Sequence, residues 1–328
     1  IAVLGAGLMG HGITQVAATA GFEVNMRDVD KKFLSSGMEK IEWSLGKFAQ
    51  KGRISEEESK KAFKRIKTTV SLKEATKDVD FVIEAIPENL KLKQQVFKEI
   101  DGYTPSHAIL ATNTSALPIT EVAAATNRPE KVVGMHFFSP PQMMRLCEVI
   151  RGDKTSDETL NTTIELGKKF EKEVVLCKKD IPGFIANRIT TAGSNLVAWM
   201  VYNGECTVEE VDAAAIHKAG MPMGMFGLMD FVGIDVGGSV AKFMDERWSG
   251  YNMCPLLKEK IEKGELGVKT GKGFYTYPEK KWIPLELPLE KAEKFDAMTS
   301  NYVNINVAAE LLRDCLLYTS DAAEKRIV

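Results

Sequence analysis

Histidine and cysteine are scarce in the 328 residues, charge of one sign is not in excess, and no long apolar run occurs. A helix that spans a bilayer needs roughly 18 consecutive apolar residues, and no stretch reaches that. A membrane span is therefore not expected. The 43 Lys and Arg stand against 45 Asp and Glu, a formal net charge of -2. Such a balance gives no field to hold DNA, RNA or an anionic membrane over the whole surface, so no nucleic-acid partner is expected. The five cysteines, Cys147, Cys177, Cys206, Cys254 and Cys315, are odd in number, widely spread and form no C-x-x-C. That argues against a disulfide framework and a zinc site; no metal is expected, and a reducing cytoplasm is the expected setting. No secretory leader is read, because residue 1 already lies in a strand-like run, and the missing Met suggests a trimmed or partial chain.

What is present is ordinary globular composition, 44% hydrophobic and 27% charged. The length suits two domains with an appendage, at about 150 residues per domain. Ile1-Ala-Val-Leu4 reads as a strand, Gly5 to Gly10 as a turn, His11 to Ala20 as a helix and Phe22 to Met26 as the next strand. Residues 31–67 are highly charged, with Leu34, Met38, Ile41, Leu45 and Phe48 at helical spacing, and read as a long helical excursion interrupted near Gly52. Strand-like runs recur at Phe81–Ile83, Ile109–Ala111, Val132–Val133 and Val174–Leu176, with helical stretches between them. This alternation predicts a doubly wound, open parallel sheet over residues 1–180, with helices on both faces. After Pro182-Gly183 strand patterns nearly vanish, and a second, all-α domain is expected at 181–277. Residues 278–328 read as a Pro-rich linker and the opening of a second helical repeat.

A G-x-G-x-x-G is weak evidence alone, but here it stands between a strand and a helix. Gly5 permits the tight turn, Gly7 lets backbone approach a pyrophosphate, and Gly10 lets helix pack on strand, with Leu8 and Met9 between them. The helix N-terminus offers N–H groups and partial positive charge to phosphates. Asp28 ends the second strand, 18 residues past Gly10. A carboxylate there accepts ribose hydroxyls and repels a 2′-phosphate, which predicts NAD over NADP, although Lys31 and Lys32 follow closely.

Transfer of hydride from an alcohol to NAD needs a base for the hydroxyl proton, and His suits that work near neutral pH. Of His11, His107, His136 and His217, only His136 ends a strand-like run, where open α/β sheets bind ligands. His11 is expected to face helix or cofactor, and His107 and His217 to lie on the surface. Glu148 follows His136 by 12 residues and suits an orienting carboxylate. By spacing alone His136 fits a satisfied core histidine equally well, and Glu148 fits a solvated strand end better. Ser115 alone reads as a turn hydroxyl, and Asn187 as a helix N-terminal cap.

Five segments together carry a resemblance: Gly5-Ala-Gly-Leu-Met-Gly10, Glu84-Ala-Ile-Pro-Glu-Asn89, Ala111-Thr-Asn-Thr-Ser115, Gly134-Met-His-Phe-Phe138 and Pro182-Gly-Phe-Ile-Ala-Asn-Arg188. Their order resembles the L-3-hydroxyacyl-CoA dehydrogenase family. Pro222-Met-Gly224, Asp230-Phe-Val-Gly-Ile-Asp235 and Gly271-Lys-Gly-Phe-Tyr275 look like its helical domain. The resemblance covers about residues 1–277. It implies a Rossmann-type sheet followed by an all-α C-terminal domain, and NAD-dependent oxidation of (S)-3-hydroxyacyl-CoA in fatty-acid β-oxidation or 3-hydroxybutyryl-CoA metabolism. It also implies a homodimer. The residues past 277 resemble members that carry a second helical copy and an enoyl-CoA hydratase module, fused or as a partner.

The resemblance assigns His136 as base and Glu148 as its carboxylate. Ser115 would hydrogen-bond the substrate oxygen, and Asn187 would lie near thioester and hydroxyl. Glu88 and Lys93 would line the nicotinamide ribose, with Asn113 beside the nicotinamide. Lys47 and Lys51 open a basic run on the excursion that suits the phosphates of an acyl-CoA, although Glu56, Glu57 and Glu58 interleave as on a solvated face. Ser139 stands where the family usually has Asn, and Cys147 where Val is common; Met225 and Gly227 replace a usual Pro and Glu. Two other readings fit the same scaffold: a dehydrogenase of a small polyol acid such as L-gulonate, and a catalytically silent NAD-binding protein.

Overall fold

Gly5 sets the first turn of the chain. Its φ is +108°, and a Cβ there would stand 2.5 Å from the Ala85 carbonyl oxygen, so no other residue fits without strain. The turn joins β1 (Ala2–Leu4) to α1 (Gly10–Thr19) and so to β2 (Val24–Arg27). Gly10 closes the same motif, because a Cβ on it would lie 1.9 Å from the Gly5 carbonyl oxygen. A computed structural model describes residues 1–247 and 251–293. These residues divide into two units, one ending at Phe184 and the next beginning at Ile185.

In the first unit the charged excursion forms α2 (Lys31–Gln50) and α3 (Glu56–Lys64). Asp30 caps α2, Gly52 at φ +66° ends it, and Ser55 with Glu58 makes a capping box on α3. Then follow β3 (Ile66–Thr69), α4 (Leu72–Thr76), β4 (Phe81–Glu84), α5 (Leu90–Tyr103), β5 (Ile109–Thr112), α6 (Ile119–Ala123) and β6 (Val132–Phe137). The unit closes with β7 (Leu146–Ile150), α7 (Asp157–Lys169) and β8 (Glu173–Cys177). One eight-stranded sheet runs in the order β3-β2-β1-β4-β5-β6-β7-β8. Val3, Ile13, Met26, Ile83 and Val133 are wholly buried in its core.

The sheet is mostly parallel, as expected, with one antiparallel pairing. It is parallel from β3 to β6, but β7 returns antiparallel to β6, and β8 then runs parallel to β7. The reason is the length of the connection. Residues 138–145 between β6 and β7 are too few for a parallel crossover, which needs about a dozen or more. Lys172 holds this loop, donating from Nζ to the carbonyls of Pro141 at 2.6 Å and Met144 at 2.8 Å.

The second unit is helical over its described residues: α8 (Ala186–Tyr202), α9 (Val208–His217), α10 (Met225–Val232), α11 (Ile234–Arg247) and α12 (Pro255–Glu262). Two buried aspartates lock it. Asp212 accepts from the Phe226 and Gly227 amides and the Tyr275 hydroxyl, all within 2.9 Å. Asp230 accepts from the Phe274 and Tyr275 amides and the Tyr277 hydroxyl, all within 3.0 Å. Burial pushes both carboxyls above their ordinary range, and these hydrogen bonds oppose it. A Cβ on Gly224 would strike Asp212, and one on Gly273 would strike Asp230. The Pro-Met-Gly and Gly-Lys-Gly-Phe-Tyr segments are thus fold locks. Asp230→Asn offers one oxygen and turns amide donors toward donors. It is expected to cost about 3–5 kcal/mol, measured as a lower urea midpoint for loss of helix.

No helix among the described residues is long and apolar enough to cross a membrane. The expected second helical repeat lies, from residue 294 onward, outside the described residues, as does Cys315.

Candidate active site

Parallel pairing of β1, β4, β5 and β6 brings their carboxyl ends to one edge of the sheet. The glycine turn leaves that edge after β1. Glu84 is the last residue of β4, Asn113 follows β5, and His136 is next to last in β6. Residues scattered through the first 136 positions therefore share one rim.

The glycine turn fits a dinucleotide. A Cβ on Gly7 would meet nothing within 4 Å, and Leu8 is exposed, so a ligand can lie against this backbone. Met9, at the N-cap of α1, makes no side-chain cap, and the first turn holds no acidic residue. The dipole and N–H groups of α1 thus remain suited to phosphate. Asp28 is fixed beside the turn: its Oδ2 accepts from the Ala6 amide at 2.7 Å and its Oδ1 from the Val29 amide at 2.6 Å. His11 is turned into the helix, with Nδ1 2.6 Å from the Gly7 carbonyl, and burial lowers its pKa.

The antiparallel return of β7 places Glu148 directly across from His136. His136 Nδ1 lies 2.7 Å from Glu148 Oε2. The histidine is 4% exposed and the glutamate 1%, which overturns the solvated strand end that spacing suggested. An ionised carboxylate only accepts, so Nδ1 carries the proton and Nε2 keeps its lone pair. The rings of Phe138 and Phe184, at centroid distances of 4.6 and 5.9 Å, wall the imidazole. Such a group can take and return a proton while a fixed counter-charge balances it. Neighbouring Cys147 is inert: burial pushes its thiol up to about 12.

Asn113 ties two strand ends together. Its side-chain Oδ1 accepts from the Phe137 amide and its own amide donates to the Glu84 carbonyl, both at 2.8 Å. Ser115 stands in a bend, half-buried, with its amide donating to Glu88 Oε1 at 2.8 Å. The same oxygen accepts from the Thr114 hydroxyl at 2.6 Å and the Ala116 amide at 3.3 Å. Lys93 is 1% exposed, its ammonium 2.6 Å from Glu84 Oε1 and 3.3 Å from Glu88 Oε2. Glu84, to which neither spacing nor the resemblance assigns a role, sits at the centre of this cluster. The signal was a carboxylate ending the apolar run Phe81-Val-Ile-Glu84.

Lys47 and Lys51 are exposed at the far end of α2, and Lys47 Nζ donates to Gln50 Oε1 at 3.2 Å. Asn187 belongs to the second unit. It is not the cap of α8, since Ile185 holds that position and Asn187 lies within the first turn. His107 and His217 are exposed, as expected.

The family pattern for the NAD binding domain of 3-hydroxyacyl-CoA dehydrogenase matches residues 1–181, and that for its C-terminal domain matches residues 183–277. A probable 3-hydroxybutyryl-CoA dehydrogenase of Bacillus subtilis is 44% identical over 85% of this chain and 98% of that protein. The human mitochondrial hydroxyacyl-coenzyme A dehydrogenase is 37% identical over 84% of this chain and 90% of that protein. The crystal structure of (S)-3-hydroxybutyryl-CoA dehydrogenase from Ralstonia eutropha superposes with a TM-score of 0.81 at 35% identity, covering 84% of this chain and 98% of that one. With both halves matched, and the glycine turn and the His136–Glu148 pair on one sheet edge, the chain belongs to the 3-hydroxyacyl-CoA dehydrogenase family of oxidoreductases.

Proposed function

We propose that the protein catalyses (S)-3-hydroxyacyl-CoA + NAD⁺ → 3-oxoacyl-CoA + NADH + H⁺, with His136 as the base. The observation that carries this reading is the buried His136–Glu148 pair at the strand ends that also bear the glycine turn. NAD, when bound, supplies the acceptor for the hydride leaving C3. Gly5, Gly7, Leu8, Met9 and Gly10 would hold its pyrophosphate and Asp28 its adenosine ribose. Glu88 keeps the role that the resemblance implies, at the nicotinamide ribose.

His136 Nε2 takes the hydroxyl proton as the C3–O bond gains carbonyl character. Glu148 stabilises the imidazolium that forms. Ser115 donates to the same oxygen, which favours the charge that develops on it. Asn187 keeps the role that the resemblance implies, a donor near hydroxyl and thioester. Lys47 and Lys51 supply cations suited to the CoA phosphates. The homodimer is carried by the family resemblance and is read by sedimentation. An enoyl-CoA hydratase, fused or separate, is the class of enzyme that would supply the substrate.

The test is oxidation of NADH with acetoacetyl-CoA, compared with NADPH and with free 3-oxo acids. Turnover of the thioester with NADH is expected, with NADPH poorer by at least about tenfold because Asp28 meets the 2′-phosphate. Preference for free acids would favour a polyol-acid dehydrogenase. NADH binding without turnover of any thioester would favour a silent binding protein.

A further inference from the structure

We propose that Glu84 is a positioning residue for the substrate-oxygen donor Ser115, acting through Lys93 and Glu88 on one side and through Thr112 on the other. The inference rests on the role proposed above for Ser115. Glu84 is completely buried at the end of β4, between Leu4 of β1 and Thr112 of β5. Its Oε1 accepts from the Ile86 amide at 2.7 Å and from Lys93 Nζ at 2.6 Å. Its Oε2 accepts from the Thr112 hydroxyl at 2.7 Å.

Both routes end on the same turn. On the first, Lys93 reaches Glu88, and Glu88 Oε1 holds the Thr114 hydroxyl and the amides of Ser115 and Ala116. On the second, the Thr112 hydroxyl that donates to Glu84 accepts from the Thr114 amide at 3.2 Å. A carboxylate in this position is costly unless fully bonded, so its surroundings are rigid when they satisfy it.

The geometry also fixes what Lys93 does. An ammonium has three protons to give. Glu84 Oε1, Glu88 Oε2 and the Ile86 carbonyl, the last at 3.3 Å, face all of them. Lys93 is therefore a bracket between two carboxylates, and it reaches a ribose only by leaving one of them. Because Glu84 is the nearer partner, it anchors the ammonium, and Glu88 keeps its other oxygen for the turn. Without the charge on Glu84, Lys93 turns wholly to Glu88 and draws that carboxylate off the Ser115 amide.

The experiment is a double-mutant cycle of Glu84→Gln and Ser115→Ala with acetoacetyl-CoA and NADH, with kcat expressed per NADH-binding site. Glu84→Gln is expected to lower kcat per site at least about tenfold, the scale of a small misplacement of a catalytic donor, while NADH still binds. In the Ser115→Ala background the same change is expected to cost less than about twofold, because the group it positions is gone. A purely structural role would reduce the number of binding sites and leave kcat per site unchanged, and that result overturns the inference. Independent, multiplying losses overturn it too. An inactive wild type, or a fully active Ser115→Ala, sinks the reading of the site and takes the inference with it. If Glu84→Gln does not fold, Thr112→Val removes one route in the same cycle, with an expected loss of about fivefold confined to the Ser115 background.

Discussion

Replacing His136 by Ala is expected to lower kcat for acetoacetyl-CoA reduction at least about a hundredfold, the range for loss of a positioned acid–base group. The substitution removes the imidazole whose Nδ1 is committed to a buried carboxylate, Glu148 at 2.7 Å, which leaves Nε2 for the substrate proton. The glycine turn and Asp28 are untouched, so NADH affinity should hold near the wild-type value, measured by quenching of its fluorescence. KM for the thioester should change little, because proton transfer belongs to the transition state rather than to binding. His136→Gln, which keeps a polar side chain of similar reach, should be as impaired. A variant that keeps near-normal kcat would remove His136 from the role of base, and the dehydrogenase reading would then lose its central group.

How much of this was legible in sequence depended on range. The glycine turn was readable because its spacing is local: Gly10 is demanded by the Gly5 carbonyl five residues back, and Gly5 by its own positive φ as well as by Ala85 past β4. The helical excursion was readable from periodicity, down to its break at Gly52. The partner of His136 was not readable from spacing, because 12 residues become a cross-strand pair only if the chain reverses. That reversal did leave a trace. The residues from Phe138 to Arg145 are too few for a crossover, yet the alternation of strands and helices elsewhere argued for a parallel sheet throughout. Asn187 looked like a cap because Pro182-Gly183 precedes it, but the helix already begins at Ala186 and takes Asn187 into its first turn. Glu84 was the hardest to read. A charge at the end of an apolar strand has the same appearance whether water or a buried lysine answers it, and only Lys93, nine residues on, decides which.

Glu148→Gln is expected to separate stability from catalysis. Gln keeps the shape of the side chain and can still hydrogen-bond the imidazole, so the buried pair is weakened rather than emptied. The variant should therefore still fold, with a melting temperature lowered by no more than a few degrees. kcat should nonetheless fall by about two to three orders of magnitude, by analogy with the orienting acid of a catalytic triad. Either orientation of the amide impairs the base. The amide can donate to Nδ1, which moves the imidazole proton to Nε2 and leaves no lone pair for the substrate hydroxyl. If the amide oxygen accepts instead, the tautomer survives but the imidazolium forms without its counter-charge. Glu148 is nearly inaccessible to solvent, so water cannot replace that charge, and electrostatics is stronger there than at a surface. Loss of activity together with loss of folding would make Glu148 a structural group. A variant retaining more than about a third of kcat would show that the imidazole works without its carboxylate, contrary to the roles set by the 2.7 Å contact.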